Sequence, residues 1–168
     1  MSSEAGVARL DALPREEAEA LLTTCLPVPR WVSAVADGRP YAAWPALESA
    51  AARAAAHLDD EELATALAGH PRIGEKASSP AHQAGLSRRE QAGVDAGDAE
   101  VARALAAGNA AYEARFDRVF IIRAAGRDAP EVLAELERRL GNDDATEREE
   151  TIGALRDIAL LRLRQAVS

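Results

Sequence analysis

The stretch DATEREETIGALRDIALLRLRQA, residues 144–166, decides the fold. Ile152, Leu155 and Ala159 recur at steps of three and four, the period of one helix face, and no proline interrupts the run. The pattern predicts a long last helix from about Asp144 to Ala166. Working upstream, Asp128 is placed to cap a helix that ends at Leu140-Gly141. A further helix is expected over roughly Asp98 to Arg115. Another starts at Ser87, where Ser87 and Glu90 have the spacing of a capping box. In the N-terminal half, Pro14 opens a helix over Arg15 to Cys25, with Ala18, Leu21, Leu22 and Cys25 at helical spacing. A short helix from Arg30 ends at Asp37-Gly38, with Gly38 expected as a left-handed cap. Pro45 begins a helix through Leu47, Ala51, Ala54 and Leu58. Asp59 and Glu62 form a second capping box for a helix that stops at Gly69.

Two stretches escape this period. His70 to Leu86 holds two prolines, two glycines and a Ser78-Ser79-Pro80 turn, and is long for a connection inside one domain. Long ordered loops often carry function. Phe116 to Gly126 contains the one cluster of strand formers, Val119-Phe120-Ile121-Ile122, and is either extended or the end of a helix. The expected architecture is an all-α, single-domain bundle of six to eight helices with one conspicuous long loop.

Composition agrees. The chain is 48% hydrophobic but only 4% aromatic, so alanine and leucine must fill the core, which favours close-packed helices. Its 168 residues suffice for one ordinary domain. A net charge of -8 argues against a nucleic-acid or acidic-membrane binder, though a local site can still hold a small anion. Cys25 is the only cysteine, which excludes an internal disulfide or a thiolate cluster, and a buried, inert thiol is expected. The N-terminus lacks the pattern of a secretory signal, the C-terminus is no peroxisomal address, and no apolar run reaches the ~20 residues of a membrane span. These features predict a cytoplasmic protein.

Few residues stand out chemically. His70, between the helix-ending Gly69 and Pro71, sits beside a rigid backbone, and an imidazole with an ordinary pKa of ~6.5 can pass a proton near neutral pH. It can equally serve as a polar helix end. Glu90 either closes its own capping box or faces the His70 loop, and the first amides of its helix can hold an anion. The segment Phe120 to Gly126 is either buried filler or a backbone edge suited to ureido and amide groups. Arg162 continues the apolar stripe of the last helix, so its guanidinium must snorkel outward or meet a buried partner, for which a carboxylate fits well. Arg164 lies on the more polar face. Only His57, His70 and His82 are present, without helical zinc spacing, so no metal site is expected.

The order of these pieces is more telling than any of them. Gly69-His70-Pro71-Arg72-Ile73-Gly74, Ser87-x-x-Glu90-Gln91-Ala92-Gly93, Asn109-x-x-Tyr112-x-x-x-Phe116, Phe120-Ile121-Ile122, Glu137-Arg138-Arg139-Leu140-Gly141-Asn142-Asp143 and Ile158 to Leu163 follow one another along about a hundred residues. This succession resembles the 2-oxo-4-hydroxy-4-carboxy-5-ureidoimidazoline (OHCU) decarboxylase family, enzymes of urate breakdown that yield (S)-allantoin. The resemblance implies an all-helical homodimer that works without a cofactor and takes a small ureidoimidazoline. It assigns proton donation to His70, with Glu90 and Arg162 (or Arg164) as further catalytic groups. It places substrate contacts at Pro71, at Ser87, Arg88, Arg89, Glu90 and Gln91, and at Ile121, Ile122, Arg123, Ala124 and Ala125. The long loop would then be an active-site loop. One departure stands out: many family members have glycine after the phenylalanine, where this chain reads Phe116-Asp117-Arg118. The rival reading is a catalytically silent helical binding module in which His70-Pro71 merely ends a helix.

Overall fold

The computed structural model describes residues 2–74, 90, 92 and 99–168. Eight helices are bounded within those residues: α1 (Ser3–Ala12), α2 (Arg15–Cys25), α3 (Pro29–Asp37), α4 (Trp44–Ala54), α5 (Asp60–Ala68), α6 (Ala99–Phe116), α7 (Ala129–Leu140) and α8 (Asp144–Ala166). No strand occurs among the described residues. The last helix has the bounds its periodicity predicts. Helix α1, which neither a proline opens nor a glycine ends, escapes the sequence pattern; Ser2 caps it by accepting from the Ala5 amide. Two expectations are corrected. Gly38 is right-handed, with φ -74°, so it ends α3 without the left-handed turn. Helix α4 stops at Ala54 instead of running to Leu58, because Ala55 already leaves helical geometry at ψ 0°.

The chain divides into two compact units, Met1–Ala66 with Leu155–Ser168, and Leu67–Ala154. In the first, α3 packs on α2 and α4, and α1 packs on α4. Trp31, fully buried, donates its indole N–H to the Ala51 carbonyl at 2.9 Å and so ties α3 to α4. Arg39 closes the end of α1 by donating to the Leu10 and Leu13 carbonyls at 2.9 and 2.8 Å, which satisfies acceptors the helix cannot. The capping box at α5 forms as expected: Glu62 N–H donates to Asp59 at 2.8 Å, and Asp59 N–H to Glu62 at 3.1 Å.

In the second unit α6 packs on α7 around one apolar cluster. Leu105, Tyr112 and Phe116 come from α6, Val132 and Leu136 from α7, and Phe120, Ile122 and Ala124 from the chain between them. That connecting stretch is irregular, so its strand formers enter the core without a sheet. Asp128 caps α7, accepting from the Glu131 amide at 2.9 Å. Among the described residues no helix is long and apolar enough to cross a membrane.

Candidate functional site

His70 closes the turn that ends α5, its amide donating to the Leu67 carbonyl at 3.0 Å. Its side chain is 6% exposed, so it is not a solvent-facing cap. Pro71 behind it is buried as well. The segment that follows is fastened to one face of α6. Arg72 donates to Glu113 at 3.0 Å, and the Asn109 amide donates to the Ile73 carbonyl at 3.1 Å. A Cβ on Gly74 would meet Leu105. Leu105, Asn109 and Glu113 lie four residues apart, a single stripe along α6. Gly74, at φ +89°, supplies the left-handed turn that lets the chain leave this face. Asn109 is 5% exposed, and its Oδ1 is buried with no hydrogen-bond partner among the described residues.

Glu90 is helical and buried, with 9% of its surface exposed. Ser87, Arg88, Arg89 and Gln91, expected as its companions, lie outside the described residues, as does His82; so does the proposed loop beyond Gly74. Among the described residues no three His, Cys, Asp or Glu side chains are grouped to hold a metal.

In the first unit the two candidate arginines separate cleanly. Arg162 is 2% exposed and donates to the Thr24 carbonyl in the last turn of α2 at 3.3 Å. It therefore stays buried instead of snorkelling, as its place on the apolar stripe allowed. Its charge lies beside the negative end of the α2 dipole. Arg164 is exposed and stacks over the Trp44 ring at 4.8 Å. Burial also pushes the Cys25 thiol up to about 11, more than the Thr24 hydrogen bond and the nearby Arg162 charge lower it, which disfavours the reactive thiolate.

The five expected contacts along Ile121 to Ala125 divide by their facing. Ile122 and Ala124 are part of the apolar cluster of the second unit, so a ligand can reach them only through their backbone. Arg123 is exposed and Ala125 half-buried, while Ile121 is buried outside that cluster. The stretch is held by a group the sequence reading left without a role. Arg139 donates to the Ile121 carbonyl at 2.6 Å and sits over the Phe120 ring at 4.9 Å. Its Nε donates to Glu147 at 2.8 Å, its Nη2 to the same carboxylate and, at 3.2 Å, to Thr151. Tyr112 adds a third donor to Glu147 at 2.6 Å, and Asn142 a fourth at 3.0 Å. Burial and the Glu147 carboxylate both raise the Tyr112 phenol above its ordinary pKa, burial the more.

Asp117 explains the departure from the family pattern. It follows the last residue of α6 with φ +54°, and its amide donates back to the Glu113 carbonyl at 2.9 Å. That is the left-handed position after a helix where glycine is favoured and aspartate is tolerated.

The described residues define an all-helical protein that buries His70 and Glu90 in one unit and Arg162 in the other. The model of the OHCU decarboxylase family matches residues 11–164, through both units, and the chain belongs to that family. The 2-oxo-4-hydroxy-4-carboxy-5-ureidoimidazoline decarboxylase of Amia calva is 39% identical over 85 residues, a match spanning 51% of this chain and 44% of that relative. A crystal structure of OHCU decarboxylase in the presence of (S)-allantoin superposes with a TM-score of 0.69 at 22% identity, covering 85% of this chain and 94% of that one. A crystal structure of (S)-allantoin synthase gives 0.70 at 16% identity, covering 95% of this chain and 53% of the other. At these identities the two structures establish the shared fold.

Proposed function

We propose that this chain decarboxylates 2-oxo-4-hydroxy-4-carboxy-5-ureidoimidazoline to (S)-allantoin, residues 1–168 acting as one decarboxylase domain with His70 as the proton donor. The observation that carries the proposal is the burial of His70 on a segment clamped to α6 through Arg72 and Ile73. A proton donor must be held still and shielded from water if it is to serve one face of a ring. The bond between the ring carbon and the 4-carboxyl group breaks, and carbon dioxide leaves. The electron pair spreads into the adjacent unsaturated ring, and a proton from His70 then arrives on one face only. That face sets the S configuration. General acid help of this kind contributes ~10²–10⁴-fold, on top of what positioning supplies.

Glu90 orients His70 or accepts from the substrate hydroxyl. Arg162, withheld from water, is the choice over Arg164 for the carboxylate, because a buried guanidinium pairs far more strongly than an exposed one. Pro71, Ser87, Arg88, Arg89 and Gln91, with Ile121 to Ala125, complete the contacts. Family membership supports the rest of this reading, a homodimer that needs no cofactor and works on a small molecule in the cytoplasm.

The test follows chirality. Urate is oxidised and hydrolysed in a cuvette, and the circular dichroism of allantoin is recorded with and without this protein. The wild type gives a fast, single-signed signal. His70→Asn and His70→Ala slow it by at least about tenfold and lower its optical purity. Full rate and purity in both variants sink the assignment of His70.

A further inference from the structure

We propose that Arg139 is a positioning residue that fixes the stretch from Ile121 to Ala125 in its ligand-binding course, through the bond to the Ile121 carbonyl. The inference rests on the proposed function in taking that stretch as a substrate contact.

The stretch needs such a device. No strand pairs with it among the described residues, so no ladder there accepts its backbone groups, yet Phe120, Ile121 and Ile122 are all buried. A buried carbonyl requires a partner, and the partner of Ile121 is a side chain from α7. Arg139 suits the task because its donors form a rigid fork. Nε and Nη2 are fixed by Glu147 and Thr151 of α8, which leaves Nη1 a single direction in which to point. The guanidinium face rests on Phe120 while its edge holds Ile121, so two successive residues are located by one group. Ile122 and Ala124 turn their side chains into the core cluster. Recognition along this stretch therefore depends on where its backbone lies, and a small backbone shift is costly when ligand atoms must be met at hydrogen-bond distance.

Arg139→Lys separates positioning from general stability. Lysine keeps the charge for Glu147 but, as a point charge, cannot hold Ile121 in the same geometry. Tyr112→Phe is the control, because it removes a donor from Glu147 and leaves the Arg139 to Ile121 bond intact. Both are compared with wild type in the chirality assay and by amide hydrogen exchange. Arg139→Lys is expected to raise KM at least about tenfold with kcat nearly kept, since uniform binding is lost while the proton donor is untouched. Exchange at residues 121–127 should quicken by a similar factor, and that of α6 should not. Tyr112→Phe should lower the melting temperature with KM and exchange at 121–127 unchanged. If Arg139→Lys does not fold, Thr151→Val, which strips one acceptor from the fork, carries the same expectation at about threefold.

A scaffolding role alone would lower the active fraction, and so kcat, in both variants alike. That result overturns the inference, as does an unchanged KM in Arg139→Lys. A wild type without stereoselective activity instead removes the proposed function. Exchange then decides alone: loosening of residues 121–127 in Arg139→Lys upholds the positioning role, and no loosening refutes it.

Discussion

Replacing Glu147 by glutamine tests the central claim about the second unit, that one buried carboxylate organises it. The side chain is fully buried, and Oε1 accepts from Arg139 twice and from Tyr112. Oε2 accepts from Asn142 at 3.0 Å. Glutamine keeps the volume and one acceptor oxygen. If that oxygen faces Arg139 and Tyr112, the new amide group faces the Asn142 amide, donor against donor. The larger loss is charge. Arg139 would stay buried with neutral acceptors only, the glutamine oxygen, the Ile121 carbonyl and the Thr151 hydroxyl. Removing one partner of a buried pair costs about 3–5 kcal/mol, out of the roughly 5–15 kcal/mol that holds an ordinary domain together. At about 2–4 °C per kcal/mol for a chain of this length, the melting temperature should fall by about 6–20 °C.

Urea unfolding followed by far-ultraviolet circular dichroism measures the loss. A double-mutant cycle with Arg139→Met assigns it, because deleting the second charge should return part of the stability taken by deleting the first. A loss below about 1 kcal/mol in Glu147→Gln would refute the argument. Equal and additive effects of the two single changes would refute it too, since the pair would then not be coupled.

Cys25, its pKa raised to about 11 by burial, should resist iodoacetamide at pH 8 in the folded protein and react once urea unfolds it; prompt alkylation of the native chain would contradict its burial. The same shift has a sign for stability. The unfolded thiol ionises first, near its ordinary value of 9.0, so this contribution is complete below that pH and drains away as pH rises towards 11. Cys25→Ala should therefore flatten the alkaline arm of a plot of stability against pH. Asp117→Gly should raise stability by about 0.5–1 kcal/mol, because glycine adopts φ +54° without the cost that aspartate bears there, and a lowered melting temperature would count against that backbone assignment.

The helices were legible where punctuation and period agreed. Asp59 with Glu62 form the box their spacing announced, Asp128 caps the next-to-last helix as expected, and α8 begins and ends as its stripe required. Helix α1 was not legible, for it has weak amphipathic contrast, with only Gly6, Val7 and Leu10 buried in ten residues. His70, Glu90 and Arg162 were visible as unusual side chains in suggestive places, and all three are withheld from solvent. The Glu147 and Arg139 pair was missed although the same logic that flagged Arg162 reaches it. Stepping back by four from Leu155 gives Thr151 and then Glu147, both on the buried face of α8. Stepping forward from Val132 and Leu136 by the helical period gives Arg139 on the buried face of α7. Two opposite charges predicted on buried faces of successive helices should have been paired with each other.

That pair also accounts for the stretch the period could not classify. Val119 to Ile122 has the residues of a strand, and strand formers normally gain their backbone partners from a neighbouring strand. No strand stands beside it among the described residues, so its apolar side chains enter the core while the Ile121 carbonyl takes its hydrogen bond from a side chain. A neutral donor would serve the bond but has no need of Glu147; arginine serves it and then requires a counter-charge, which in turn draws in Tyr112, Thr151 and Asn142. The polar knot among α6, α7 and the start of α8 is thus the physical consequence of burying an extended segment without a sheet. Local propensity could report the extended backbone but not its partner, because the partner is a single guanidinium eighteen residues away.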